Sequence, residues 1–135
     1  MLFRSRAGTN RAQIARALAD APANHLAGLQ FLIRNMPDSD LQTLSSSFLL
    51  EDVALAYKAF SNAPWHERIP NDLFLNEILP YACMTETRES WRKKLHDLSQ
   101  PLIADCKTPG EAAQRLNQKL FKLVKVRYSD RKSVV

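Results

Sequence analysis

Seven prolines against only three glycines constrain this 135-residue chain more than any other feature. Proline fixes its own φ and has no N–H to donate. It is accepted in the first turn of a helix or just past its end, and rejected from helix interiors and central strands. Pro22, Pro37, Pro64, Pro70, Pro80, Pro101 and Pro109 therefore punctuate the chain. Between them, apolar residues recur at three- and four-residue spacing, the period of a helix face. The expectation is an all-α, irregular bundle of six to seven helices.

Thr9 or Asn10 caps a first helix over residues 10–20, on which Ile14 and Leu18 make a short apolar stripe. The stripe is alanine-rich, so the helix needs a partner to be stable. Pro22 opens a second helix, in which Leu26, Leu29, Ile33 and Met36 form a buried face until Pro37 ends it. Asp38 or Ser39 caps a third, with Leu41 and Leu44 on one side. The run Ser45, Ser46, Ser47 interrupts it, because serine hydroxyls compete for backbone hydrogen bonds. A helix over residues 48–62 is expected to bury Leu49, Val53, Ala56 and Phe60. Pro64 and Pro70 then bracket an extended or turning connection.

Asn71 is expected to cap a short helix carrying Phe74, Leu75, Ile78 and Leu79, which Pro80 closes. Thr85 is the expected cap of the next helix, whose stripe is Trp91, Leu95, Leu98 and Leu102, with Glu89 and Lys93 paired on the outside. Pro101 falls within that stripe and should kink or end it. Thr108, Pro109 and Glu111 form a capping box for a last helix, its buried face Leu116, Leu120 and Leu123 or Val124. Residues 124–128 turn β-like, a short C-terminal strand with no partner in the sequence.

An apolar fraction of 45% with 24% charged residues is the composition of an ordinary globular domain. No apolar run approaches the ~20 residues that span a bilayer, and no secretory signal is visible. Residues 2–5 and 130–135 resemble in-frame translations of sequencing-adapter DNA. Residues 1–5 and 129–135 are accordingly expected to be a non-native leader and tail around one domain over residues 6–128. Their removal takes three of the 19 Lys and Arg and one of the 14 Asp and Glu, lowering the net charge from +5 to +3. At that charge only a clustered patch argues for a polyanion partner. Cys83 and Cys106 suit a single disulfide in an oxidising compartment or two free thiols in a reducing one, so the compartment is left open.

A cysteine nucleophile needs a base and a group that orients the base. Neither Cys83, in a turn, nor Cys106, near a helix end, begins an apolar helix where backbone N–H groups would lower a thiol's pKa. Both read as inert thiols. His66-Glu67 and His96-Asp97 are neighbours whose side chains diverge, and Gly8, Gly28 and Gly110 form no phosphate loop. No catalytic, metal-binding or cofactor-binding residue is assigned, and no cofactor is expected. Glu51-Asp52 reads as solvated helix surface, and Arg92-Lys93-Lys94 as the polar side of its helix. Trp65 and Trp91 read as anchors that pin a connection and a helix to the core. Arg115, Lys119 and Lys122 share a face of the last helix, with Lys125 and Arg127 beyond, and Phe121 and Tyr128 are placed to stack on bases. The simpler reading is a solvated face whose cations suit the helix dipole, which makes nucleic acid the less favoured partner.

The stretch from Asn71 to Arg92 resembles the region just upstream of the catalytic core in bacterial transglutaminase-like proteins. There a short helix ends in Leu-Pro-Tyr, a turn carries a Glu, and Trp-Arg opens the next helix. Here Leu79, Pro80, Tyr81, Glu86, Trp91 and Arg92 hold those positions. Met36-Pro37, Pro64-Trp65, Ile69-Pro70, Asn117 and Val126-Arg127-Tyr128 extend the resemblance over residues 11–128. It implies a papain-like core downstream, with a Cys at a helix start and later a His and an Asp on strands. No position here matches any of the three. The resemblance thus implies a non-catalytic N-terminal helical accessory domain of a transglutaminase-like cysteine hydrolase or acyltransferase, partnered by the C-terminal core that residues 124–128 would join. The alternative is a stand-alone helical interaction module with a weak basic nucleic-acid-binding face.

Overall fold

The computed structural model describes residues 3–83, 85–123 and 125. In chain order the helices are α1 (Phe3–Arg6), α2 (Arg11–Asp20), α3 (Ala23–Asn35), α4 (Asp38–Thr43), α5 (Ser46–Asn62), α6 (Asn71–Leu73), α7 (Trp91–Ile103) and α8 (Pro109–Leu123). Single 3-10 turns cover Gly8–Asn10 and His66–Arg68, and α6 runs directly into a π-helical turn, Phe74–Ile78. Among the described residues there is no strand, and the all-α expectation holds. The expected strand over residues 124–128 lies outside the described residues except for Lys125. That residue has φ 55°, left-handed rather than extended backbone.

The core lies where α2, α3 and α5 pack on one another, with α4 closing one side. Ile14, Leu29, Leu41, Leu49 and Leu79 are fully buried there. Ser45 caps α5, accepting a 3.1 Å hydrogen bond from the Phe48 amide, so the serine run interrupts the chain as its chemistry requires. Other expected caps do not form. Pro37 and Pro70 occupy the positions preceding α4 and α6, which places Asp38 and Asn71 one residue inside their helices. Asn10 does not cap its own helix either; its amide donates to the carbonyls of Leu41 (2.9 Å) and Leu44 (2.8 Å), sealing the end of α4.

Gly28, inside α3, lies close against Tyr57 of α5. A Cβ there would meet the Tyr57 hydroxyl at 2.7 Å and its ring at 2.9 Å. The Tyr57 ring stacks on His25 (4.5 Å) and meets Phe74 edge-on (4.8 Å); Phe74 continues to Phe60 (4.7 Å), and Phe60 to His66 (5.8 Å). Phe60, expected to be buried, is half-buried, packed between Phe74 and His66 in this series. The π-helical turn serves the same packing. Residues five apart face different sides of a helix with 3.6 residues per turn, yet Phe74 and Leu79 both point into the core. One wide turn, closed by the 2.9 Å bond from the Leu79 amide to the Phe74 carbonyl, brings them onto one face.

The buried core ends at Tyr81. Residues 85–90 form a turn and irregular chain, so Thr85 caps nothing and Glu89 lies outside α7; Lys93 pairs instead with Asp97 at 2.8 Å. Pro101 does not stop α7, which continues through it to Ile103, although the proline forfeits the helical bond to the Asp97 carbonyl. At the start of α8 the Thr108 hydroxyl accepts from the Glu111 amide (3.3 Å), and Glu111 reaches back to the amide of Lys107 (2.9 Å), a capping box shifted by one residue. α7 and α8 pair as a hairpin, and α7 alone lies along α5. Leu116 and Leu120 are only half-buried and Leu123 is 42% exposed, so the expected buried face of α8 is incomplete.

Candidate functional site

Arg92 is the centre of the segment from Asn71 to Arg92. Its Nε donates to Asp52 Oδ1 at 2.9 Å, and its Nη atoms donate to the carbonyls of Ile78 (3.0 Å), Leu79 (3.1 Å) and Pro80 (2.8 Å). Those carbonyls end the π-helical turn. They have no helical partner ahead of them because Pro80 turns the chain. One guanidinium therefore satisfies a helix terminus and a carboxylate at once. Two sequence expectations are corrected here. Arg92 belongs to no solvated cluster, its side chain being 12% exposed, and Asp52 is buried rather than solvated beside Glu51. Burial holds the Asp52 carboxyl above the usual carboxylate range, against the opposing pull of Arg92. Its Oδ2 has no hydrogen-bond partner among the described residues.

A second buried carboxylate sits nearby. Asp40 accepts from the Tyr81 hydroxyl at 2.7 Å and from Arg88 Nε at 3.0 Å. Burial first, then the bond to Asp40, push the Tyr81 hydroxyl well above its ordinary value. Arg88 also donates to the Cys83 carbonyl at 3.0 Å, and Glu86 accepts from the Cys83 amide at 2.9 Å. Those bonds hold residues 82–83 and 85–90 out of helix. The Trp91 indole N–H donates to the Tyr81 carbonyl at 2.8 Å. Leu79, Pro80, Tyr81, Glu86, Trp91 and Arg92 are thus gathered into one polar clamp that ties α7 to α5 and α4. Asp40, Asp52 and Arg88 complete it; Asp40 and Arg88 are absent from the sequence expectations, which took Asp52 for solvated surface. Asp52 carried a signal, since it falls on the same helical face as Leu49, Val53 and Ala56.

The basic face is less uniform than its spacing implies. Arg115 is ion-paired with Asp105, whose carboxyl it holds below the usual range, and it also donates to the Leu102 carbonyl. Lys119, Lys122 and Lys125 are exposed, with Phe121 57% exposed among them, and Arg127 lies outside the described residues.

Among the described residues the remaining titratable groups form no reactive set. Cys83 is exposed and Cys106 buried, both as free thiols, and His25 and His66 are ends of the ring ladder. His96 Nδ1 approaches Asp97 only to 3.5 Å. Among the described residues no three His, Cys, Asp or Glu side chains converge as metal ligands. None of the described helices is long and apolar enough to cross a membrane. Against family models, curated proteins and solved structures, the chain has no match.

Proposed function

We propose that this chain is a non-catalytic helical accessory domain that packs against a neighbouring domain through the α7–α8 hairpin, and that the neighbour is a transglutaminase-like cysteine hydrolase or acyltransferase core. The supporting observation is the uneven burial of the chain. α2, α3 and α5 share a closed core, while one face of α8 carries Leu116 and Leu120 half-buried and Leu123 exposed. An apolar face of that kind is the usual mark of an interaction surface. The choice of neighbour rests on the resemblance of Leu79-Pro80-Tyr81 and Trp91-Arg92 to the segment preceding such cores. The reading frame of the intact gene tests it: a Cys, His, Asp series within the next domain length is expected, and its absence ends the reading. Association of this chain with that core should weaken in Leu120→Asp. The chain alone should hydrolyse neither amides nor esters.

A second reading is carried by Lys119 and Lys122, which share a face of α8, and by the exposed Phe121 ring on its flank. These groups suit a single-stranded nucleic acid, with backbone charge on the lysines and a base on the ring. It predicts salt-dependent binding that the Lys119→Glu, Lys122→Glu pair abolishes. Binding unchanged in that variant eliminates it.

A further inference from the structure

Four large apolar side chains stand exposed among the described residues, and three of them lie at one end of the α7–α8 hairpin. Trp91 begins α7, and Phe121 and Leu123 end α8. The two helices of the hairpin are antiparallel and nearly equal in length, 13 and 15 residues, so the start of one meets the end of the other. Arg115, which donates to the Leu102 carbonyl, fixes that pairing near the closed end. Beside the apolar group stand the ammonium groups of Lys119, Lys122 and Lys125, all exposed and in no ion pair among the described residues. Residues 112–125 contain no Asp or Glu, and Arg115, their other cation, is spent on Asp105. Phe121 follows Leu116 by five residues, which turns it ~140° around the helix from the leucine stripe offered to a neighbouring domain. Only Leu123 belongs to both surfaces.

Whatever covers this end must accept a ring, an aliphatic side chain and three cations together. A second copy does not fit, because an isologous contact sets lysine against lysine. Single-stranded nucleic acid finds only one free ring. Trp91 has the Arg92 guanidinium 5.1 Å from its ring and its indole N–H bonded to the Tyr81 carbonyl, and Leu123 has no face on which a base stacks. Lysine is also depleted from contacts between folded proteins. Anionic lipid headgroups meet every requirement: their phosphates attract the lysines, Phe and Leu side chains enter the acyl boundary, and Trp is favoured at headgroup level. Each lysine close to such a surface strengthens binding ~fivefold.

We propose that the open end of the α7–α8 hairpin binds the surface of an anionic lipid bilayer, Phe121 and Leu123 entering the headgroup boundary and Lys119, Lys122 and Lys125 facing lipid phosphates. The proposal goes beyond the domain-docking reading and does not rest on it.

The full chain is sedimented with vesicles of phosphatidylcholine alone or of equimolar phosphatidylcholine and phosphatidylglycerol. Binding to the anionic vesicles is expected, weaker by about tenfold or more on the neutral ones and falling with added salt. Phe121→Ser should weaken it by about tenfold. The Lys122→Glu, Lys125→Glu pair should weaken it at least as much. Leu73→Ser removes the exposed leucine of α6 and should leave binding unchanged, circular dichroism confirming that each variant is folded. The proposal is overturned if neutral vesicles bind as well as anionic ones, if Phe121→Ser binds undiminished, or if Leu73→Ser loses as much. It is also overturned if neither vesicle binds; oligothymidylate binding in that case assigns the surface to nucleic acid. A dimer that Phe121→Ser dissociates, seen without lipid, assigns it instead to a second copy and likewise overturns the proposal. Its failure leaves the domain-docking reading, which the downstream reading frame tests, untouched.

Discussion

At the scale of single residues, the four hydrogen bonds of Arg92 decide what its removal does. Arg92→Ala leaves Asp52 buried without its cation, and three carbonyls without their donor. Breaking a buried pair from one side costs about 3–5 kcal/mol, and the urea midpoint should fall accordingly. Asp52→Asn should cost much less, because Arg92 keeps the three carbonyls and the penalty of burying a carboxylate is relieved. The pair should be strongly non-additive in a double-mutant cycle. A pH dependence follows from Asp52 with a definite sign. Its carboxyl is held above the ordinary value in the fold, so between that value and the raised one the unfolded chain has released the proton and the folded chain retains it. Stability contributed by Asp52 therefore declines as pH rises through that window. Measured against Asp52→Asn across mildly acidic pH, the native chain should lose its relative advantage as pH increases. A difference that grows with pH contradicts the assignment.

At the scale of elements, Gly28 and the ring ladder make the sharpest case. Replacing a helix glycine by alanine ordinarily gains up to ~1 kcal/mol. Here the new methyl meets Tyr57, whose ring is stacked on His25 and packed edge-on against Phe74, so a shift of that ring disturbs both contacts. Gly28→Ala should therefore be net destabilising, by about 1 kcal/mol or more in thermal or urea unfolding. A net gain means the ladder yields more easily than its packing implies. The helices themselves were legible because prolines and apolar spacing are local signals: Ser45 and Thr108 cap where their chemistry says they should. What escaped the sequence was long-range. Asn10 serves the end of α4, Asp40 pairs with residues 41 and 48 positions away, and Asp52 meets Arg92 across 40 positions. No window along the chain shows those partners. Likewise the π-helical turn follows from burying both Phe74 and Leu79, a demand of the core and not of their own segment.

At the scale of the whole molecule, burial divides unevenly between the part of the chain through Tyr81 and the hairpin after it. α8 holds one buried residue, Ala112, and α7 holds none, whereas α5 buries Leu49, Val53 and Ala56 along its length. Few buried contacts mean a low free energy of local opening. Native-state hydrogen exchange should show α8 amides exchanging well before those of α5, with α2 and α3 among the slowest. Uniform protection across all helices contradicts this division. The same clamp also sets an order in time. Arg92 meets carbonyls that exist as a cluster only after the π-helical turn has closed, and a carboxylate that α5 must already have brought into position. The hairpin can thus latch only onto a bundle already assembled. Loss of the Arg92 bonds should then quicken unfolding while leaving the refolding rate nearly unchanged, so the clamp governs how long the assembled chain lasts rather than how fast it forms.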